Sequence, residues 1–285
     1  MNTDDPNFPA LGAFGWQALG YNFESPAMTD FDAQSDRLLN SWDVLLSVLA
    51  AAKSGHFSGV DRLIQNIVDA QDWVLLRASA ELLGDAGSSA CMKLALQRLG
   101  SLVFEPQNFV LQTEFCRSLW CSQWLWTVPV ILDVHRRIND RVESSTLRVH
   151  MDKLLGRNLS AQLSAGILTD EGYAQAVLDG HQDLRARFGS DEVPVFQGEL
   201  YGVNLLARYF LNALQSSESS NGYDCIDYRH RFEAATGIDC RIMFDANGVT
   251  QPMNAMSIVE QFLESVDVVN YLPGRRYFFG HEIPH

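Results

Sequence analysis

The stretch that decides the fold runs from Trp73 to Gly87 and reads WVLLRASAELLGDAG. Apolar side chains recur in it at three- and four-residue spacing, which is the period of a helix with one buried face. The residues on that face are Trp73, Leu76, Ala80 and Leu83. Ala78 and Ala80 are small enough to let a second helix approach, and Gly84 is expected to end the helix in a left-handed conformation. The pattern predicts a short amphipathic helix packed closely on a neighbour.

Similar amphipathic segments lie on both sides of this helix, at residues 59–70 and 88–99. Together with the helix that opens at Ser88, the stretch from Trp73 to Gly87 resembles a HEAT-like repeat. The resemblance implies stacked helix pairs, because one pair cannot bury its apolar faces alone, and it implies an extended surface suited to protein contact. An irregular helical bundle is the alternative that the same pattern allows.

Composition predicts three parts of the chain. Residues 1–35 combine proline and glycine with aromatic residues, which is typical of an irregular arm. Residues 36–215 carry helical periodicity and form the predicted HEAT-like body. Residues 216–285 form a predicted C-terminal α+β segment with a hairpin and an aromatic tail. The predicted fold class is therefore mainly α, an α-solenoid body with a small C-terminal segment that contains a β-hairpin.

Finer features of the chain are predicted from local spacing. Asn247-Gly248 lies between the short apolar runs 241–244 and 249–251, which is a strong hairpin signal. Helical spacing resumes at residues 257–266 and puts Ile258, Phe262 and Val266 on one face. Earlier in the chain, the spacing of four aromatic residues mostly fits a buried helix face, so a core role is favoured over a ligand pocket. These residues are Phe115, Trp120, Trp124 and Trp126.

Length and composition exclude several classes of protein. With 285 residues, of which 47% are hydrophobic, the chain is long enough to bury a substantial core. It has no run of roughly 18 apolar residues and its first residues are acidic, so we expect a cytoplasmic protein without a membrane segment. The five cysteines form no Cys-x-x-Cys pair and are expected to be reduced thiols. The net charge of −14 argues against a nucleic-acid partner.

Catalytic and metal-binding motifs fail on inspection, and we predict no catalytic, cofactor-binding or metal site and no cofactor. His281-Glu282-Ile283-Pro284-His285 is a literal zinc motif, but Pro284 breaks the helix that the motif needs. The calcium-loop start at 245–248 lacks its bidentate glutamate, because Met256 occupies the twelfth position. His135 and His150 could meet across a helix hairpin, but neither has a Cys or acid at ligand spacing. Nucleophile-elbow, phosphate-loop and dinucleotide motifs are missing from the sequence.

The C-terminal third carries a second resemblance. It reads YRHRFE at residues 228–233, TGIDC at 236–240 and PGRRYFFGHEIP at 273–284. These stretches are similar to the immunity proteins of bacterial polymorphic toxin systems, and residues 277–284 are the most specific part. The resemblance implies a non-catalytic protein that binds and blocks a cognate toxin delivered by contact-dependent or type VI-like secretion. Tyr277, Phe278 and Phe279 are themselves expected to pin the C-terminus onto the helical body.

The distribution of charge suggests where such a partner binds. Residues 37–159 hold twelve acids and thirteen bases, whereas residues 160–270 hold sixteen acids and six bases. We therefore expect a basic toxin surface to meet acids of the C-terminal half. The candidate partner-binding residues are Asp179, Asp183, Asp191, Glu192, Glu199, Asp224 and Asp227. The alternatives are a helical-repeat scaffold and, less favoured, an enzyme with a cleft between the helical body and the hairpin.

Overall fold

The computed structural model describes residues 41–70, 72–105, 108–138, 141–216, 222–243 and 251–285. The irregular arm predicted for residues 1–35 lies outside these residues, and so does most of the predicted hairpin at 241–251. Within the described ranges, no helix combines the length and the apolar content that crossing a bilayer requires.

Helices account for most of the described chain, which confirms the predicted mainly-α class. The α-helices are α1 (Ser41–Lys53), α2 (Arg62–Asp69), α3 (Trp73–Ala86), α4 (Ser89–Val103), α5 (Phe109–Ser122), α6 (Thr127–Arg137), α7 (Arg141–Leu155), α8 (Leu159–Ser164), α9 (Asp170–Phe188), α10 (Val203–Gln215), α11 (Gly222–Thr236) and α12 (Pro252–Glu264). Two antiparallel hairpins join β1 (Val195–Phe196) to β2 (Glu199–Leu200) and β3 (Tyr277–Phe278) to β4 (His281–Glu282). Two 3-10 helices cover Arg241–Met243 and Val266–Asn270.

The chain divides into two compact units. The first unit comprises residues up to Arg62 and residues Gly202–Pro284, and the second comprises Leu63–Tyr201 with His285. The boundaries that composition predicted, at residues 35 and 215, follow the change in sequence pattern, whereas these units follow the packing of the folded chain.

In the second unit, several helices pack against the second helix that follows them in the chain. Helix α3 packs along α5, α5 packs on α7, and α7 packs on α9. The predicted aromatic patch lies in this core, since Phe115 and Trp120 are no more than 1% exposed and Trp124 and Trp126 are also buried. Contacts between alternate helices are what stacked helix pairs make, and the HEAT-like interpretation remains a prediction.

Two predictions for α3 were wrong. The helix continues through Gly84 and ends at Ala86, and the C-cap Gly87 has an extended rather than a left-handed backbone. Gly84 has a packing role instead, because a Cβ there would lie 2.6 Å from the carbonyl oxygen of Ser118 on α5. Trp73 is 55% exposed rather than buried, because it is the first residue of α3 and the helix packs through its later turns. Leu76, Ala80 and Leu83 are buried as predicted.

The first unit packs α10 against α11 and α12, with the β3–β4 hairpin on α11. The amides of Phe279 and Gly280 donate to the carbonyls of Ala234 and Ala235 at 2.7 and 2.9 Å. Phe278 is fully buried, and the Lys53 ammonium lies 5.1 Å from the centre of the Phe279 ring. The aromatic tail is therefore packed, with α11 as its main support.

The turn of the predicted hairpin, Asn247-Gly248, lies outside the described residues. Arg241–Met243, the described part of the predicted first strand, is a 3-10 helix, so the strand assignment of these three residues was wrong. The Gln251 amide donates to the Met243 carbonyl at 2.6 Å. Within the described part of the C-terminal segment the hairpin is β3–β4, and its strand β4 contains His281 and Glu282 of the literal zinc motif.

Candidate functional site

Three of the predicted partner-binding acids lie in the second unit beside a basic side chain. Asp183 on α9 pairs with Arg157 at 2.6 Å, and Glu199 on β2 pairs with Arg187 at 2.7 Å. Glu192 pairs with Lys93 and also accepts a hydrogen bond from the Ser89 hydroxyl at 2.7 Å. Each pair is solvent-exposed, and each base reduces the field that its acid presents to a partner.

The other four predicted acids are dispersed over both units. Asp179 is exposed and accepts from the Gln175 side chain at 2.8 Å, while Asp191 is half-buried and its backbone carbonyl accepts from the Trp126 amide. In the first unit, Asp227 pairs with Arg231 at 3.4 Å. Asp224 belongs to α11, and its side chain lies outside what the structure describes. The acids that sequence reasoning grouped are thus divided between the units, and their role in binding stays a prediction.

A different surface, which sequence reasoning missed, lies in the first unit immediately after α12. Val266, Val269 and Leu272 are 84%, 72% and 53% exposed. Val266 and Val269 belong to one 3-10 helix, in which residues three apart lie on the same side. Three large apolar side chains at a spacing of three residues therefore face solvent.

Exposed acids flank these apolar side chains. Glu260 and Glu264 lie one turn apart on α12, and Asp267 follows Val266 directly. Among the described residues, none of the three carboxylates forms an ion pair. The base that follows, Arg275, pairs with Glu282 at 3.2 Å. We call Glu260, Glu264, Val266, Asp267, Val269 and Leu272 together the apolar–acidic surface.

The backbone of this surface is held in place by buried aromatic groups. The Tyr277 hydroxyl donates to the Asn270 carbonyl and accepts from the Leu272 amide, each at 3.0 Å. The Tyr271 ring lies between Phe262 and Tyr277, with ring centres 5.5 and 4.9 Å away. Because the exposed side chains project from a fixed backbone, a partner that binds them orders little chain in doing so.

The prediction that Val266 shares a helix face with Phe262 was wrong. Phe262 is buried, but α12 ends at Glu264 and the backbone of Ser265 is extended, so Val266 leaves the helix face. A spacing of three or four residues is common to a buried α-helical stripe and an exposed 3-10 turn. The one sequence signal for exposure was the acid that directly follows Val266.

The histidines singled out in the sequence have separate surroundings. Nε2 of His135 lies 3.0 Å from the Ser144 hydroxyl, whereas the ring of His150 stacks on Trp120 with centres 4.8 Å apart. Burial and the nearby Arg148 lower the pKa of His135 to about 4, so its imidazole is neutral at pH 7. Across the described residues, no three His, Cys, Asp or Glu side chains form a group that could hold a metal ion.

The first unit also buries an ion pair. Arg229 and Glu233 are one helical turn apart on α11 with a separation of 3.3 Å, and both are about 1% exposed. Oε1 of Glu233 accepts from the Cys240 amide at 3.0 Å. Burial raises the pKa of Glu233 to about 7 against the opposing effect of Arg229. This pair joins α11 to the loop that follows it, which gives it a structural role.

Comparisons with known proteins returned no relative. No protein-family model, no curated protein and no solved structure matches this chain.

Proposed function

We propose that this chain is an immunity protein that binds a cognate bacterial toxin and neutralises it by covering its active site or substrate surface. The observation that carries the proposal is the apolar–acidic surface, which combines exposed apolar anchors with carboxylates that have no ion-pair partner among the described residues. The similarity of residues 228–240 and 273–284 to immunity proteins supports the same role.

Physical chemistry favours a basic protein as the partner. Uncompensated carboxylates raise the rate at which a positively charged surface arrives, and apolar side chains at the centre of a contact supply most of the affinity. Val266, Val269 and Leu272 are suited to the second role because their backbone is fixed before binding. The acids of the second unit contribute a weaker field, because Asp183, Glu192 and Glu199 each pair with a base.

The position of the packed tail fits this division of roles. Tyr277 and Phe278 are buried in the first unit, so these two residues of the resemblance have a packing role in this chain. Its contribution to binding is indirect, because the Tyr277 hydroxyl fixes the backbone that presents Val269 and Leu272.

A co-expression experiment tests the proposal. The product of the adjacent gene is expressed alone, with this chain, and with this chain carrying V266D and V269D. We expect growth arrest in the first case, restored growth and a one-to-one complex in the second, and arrest again in the third.

The alternatives give different outcomes in the same experiment. A helical scaffold forms no stable complex with that product and gives no protection. An enzyme that destroys the toxin or its product restores growth without a stoichiometric complex. Either result would remove the immunity proposal.

A further inference from the structure

A polar cluster in the second unit takes no part in the proposed function. It consists of His135 on α6, Ser144 and Arg148 on α7, and Tyr173 on α9. Nη1 of Arg148 donates to the Ser144 hydroxyl at 3.3 Å, and that hydroxyl lies 3.0 Å from Nε2 of His135. The rings of His135 and Tyr173 are 5.9 Å apart. Contacts between three helices thus place these four side chains together.

Three polar atoms of the cluster are buried and lack a hydrogen-bond partner among the described residues. They are Nδ1 of His135, Nε of Arg148 and the hydroxyl oxygen of Tyr173. Tyr173 is only 1% exposed, so its hydroxyl has no access to bulk solvent. A buried polar group without a partner costs roughly 1–3 kcal/mol, and three in one place need an explanation.

All three atoms act as donors. In the tautomer in which Nε2 of His135 accepts from the Ser144 hydroxyl, the ring proton lies on Nδ1, and we assign that tautomer. Nε of Arg148 carries a hydrogen at every accessible pH. Burial raises the pKa of Tyr173 above its usual range, so its hydroxyl keeps its proton. With this assignment the cluster offers three hydrogen-bond donors that have no acceptor among the described residues.

The nearby acids that the structure describes do not supply those acceptors. Both oxygens of Asp152 are engaged at the start of α8, where they accept from the amides of Leu159 and Ser160 at 3.1 and 2.9 Å and from the Ser160 hydroxyl. Asp170 is exposed in the first turn of α9 and acts on His135 only through its charge, as Arg136 does with the opposite sign. Arg148 is thus the charged member of the cluster.

We propose that this cluster is a binding site for a small oxyanion, an inorganic phosphate or a carboxylate, held by Arg148, Tyr173 and His135. An oxyanion presents only acceptors, so its chemistry matches these donors and the guanidinium charge. A water molecule accepts two hydrogen bonds at most and brings two donors of its own. His135, Ser144 and Arg148 are half-buried, which leaves a solvent side through which an ion enters.

The test titrates the full chain with inorganic phosphate, with acetate and with chloride at constant ionic strength, followed by calorimetry. We expect heat and a rise in Tm with phosphate or with acetate but none with chloride, and the stronger of the two identifies the class of oxyanion. Tyr173→Phe removes one donor and Arg148→Met removes the charge. From the strength of hydrogen bonds to charged groups, each is expected to weaken binding roughly tenfold to a hundredfold.

Arg137→Met is the matched control. It removes one positive charge from α6, where Arg137 forms an exposed pair with Asp133, and it should leave oxyanion affinity unchanged. Long-range ¹H–¹⁵N spectra give an independent readout that does not depend on a variant folding. We expect the Nδ1 resonance of His135 to move with added oxyanion while that of the exposed His56 stays fixed.

Two results would overturn the proposal. One is equal behaviour in phosphate, acetate and chloride, which means that water fills the cluster. The other is an adventitious ion only, seen as binding that neither variant weakens and that leaves the His135 resonance in place.

Discussion

The acids of the second unit and the acids that follow α12 in the first unit carry the same charge but differ in what faces them. Asp183, Glu192 and Glu199 each meet a basic side chain on a neighbouring segment. Glu264 and Asp267 make no ion pair among the described residues and lie close in sequence to the exposed Val266. Acidic composition alone therefore does not single out a surface, and the proposed function places binding where acids without a base lie beside exposed apolar groups.

The same contrast holds in the interior of the two units. In the first unit the buried Arg229 has a carboxylate partner, Glu233, on the same helix. In the second unit Arg148 makes no ion pair within the part of the chain that the structure describes. Arg229 thus has a carboxylate beside it, whereas Arg148 lies among the donors of the proposed oxyanion site.

The largest expected effect comes from replacing the apolar anchors with V266D and V269D. Placing carboxylates where a partner packs removes two anchors and buries charge, so we expect at least a hundredfold loss of affinity for the cognate toxin. Isothermal titration calorimetry measures the change. Ile167→Asp is the matched control, because Ile167 is 72% exposed in the second unit. Equal losses in both variants would contradict the assignment of the surface.

The next effect is the pH dependence of stability, to which Glu233 in the first unit and His135 in the second contribute with opposite sign. The pKa of Glu233 is about 7 in the folded chain and lower when unfolded, so folding takes up a proton and stability rises as pH falls from 7 to about 4.5. The pKa of His135 is about 4 in the folded chain and about 6.5 when unfolded. The unfolded chain therefore binds a proton that the folded chain does not, and stability falls as the pH falls from about 6.5 to about 4. Each contribution is on the order of 1–3 kcal/mol.

Urea unfolding at several pH values separates the two contributions. The side chain of Glu233→Gln can still accept a hydrogen bond from the Cys240 amide. The variant should therefore lack the gain in stability that Glu233 gives at low pH and keep the loss of stability that His135 causes. His135→Gln should do the reverse. If either variant kept the pH slope of the parent chain, the assignment of that group would be wrong.

Charge reversal ranks the two acidic regions directly. Glu260, Glu264 and Asp267 changed to Lys should slow association with a basic toxin about tenfold at low salt, and high salt should remove the difference. Asp183, Glu192 and Glu199 changed to Lys should slow it less, because their charges are partly balanced. Stopped-flow association rates provide the measurement. If the variant with Asp183, Glu192 and Glu199 changed to Lys slowed association more, the binding surface would be assigned to the second unit instead.

The smallest effect comes from removing bases rather than acids. Arg157→Ala and Arg187→Ala release Asp183 and Glu199 from their pairs, so association should accelerate about twofold, with at most about 1 kcal/mol of stability lost. Arg241→Ala is the control, because it frees Asp239 of an exposed pair in the other unit. A rate that stays unchanged in the double variant would show that the second unit contributes nothing to steering.

The sequence was informative where one physical effect dominates. Helical periodicity and apolar content predicted the mainly-α class, and the spacing of Phe115, Trp120 and Trp124 predicted their burial. Gly84 was misread because a glycine near a helix end serves equally as a stop or as a point of close approach. Only the position of Ser118 on α5 decides between the two.

The candidate surface could not be derived from the sequence for a related reason. Val266 continues the spacing of Ile258 and Phe262, and the pattern gives no sign that α12 ends at Glu264. The pairing of Asp183 with Arg157 and of Glu192 with Lys93 joins residues 26 and 99 positions apart, which local pattern does not encode. Charge counts therefore overestimated the field of the second unit.

The most direct test of the account is hydrogen–deuterium exchange of this chain with and without the product of its neighbouring gene. We expect the amides of residues 260–272 to exchange more slowly in the complex and those of residues 179–199 to change little. Protection confined to residues 179–199, or a complex that protects neither region, would contradict the claim that the apolar–acidic surface binds the toxin.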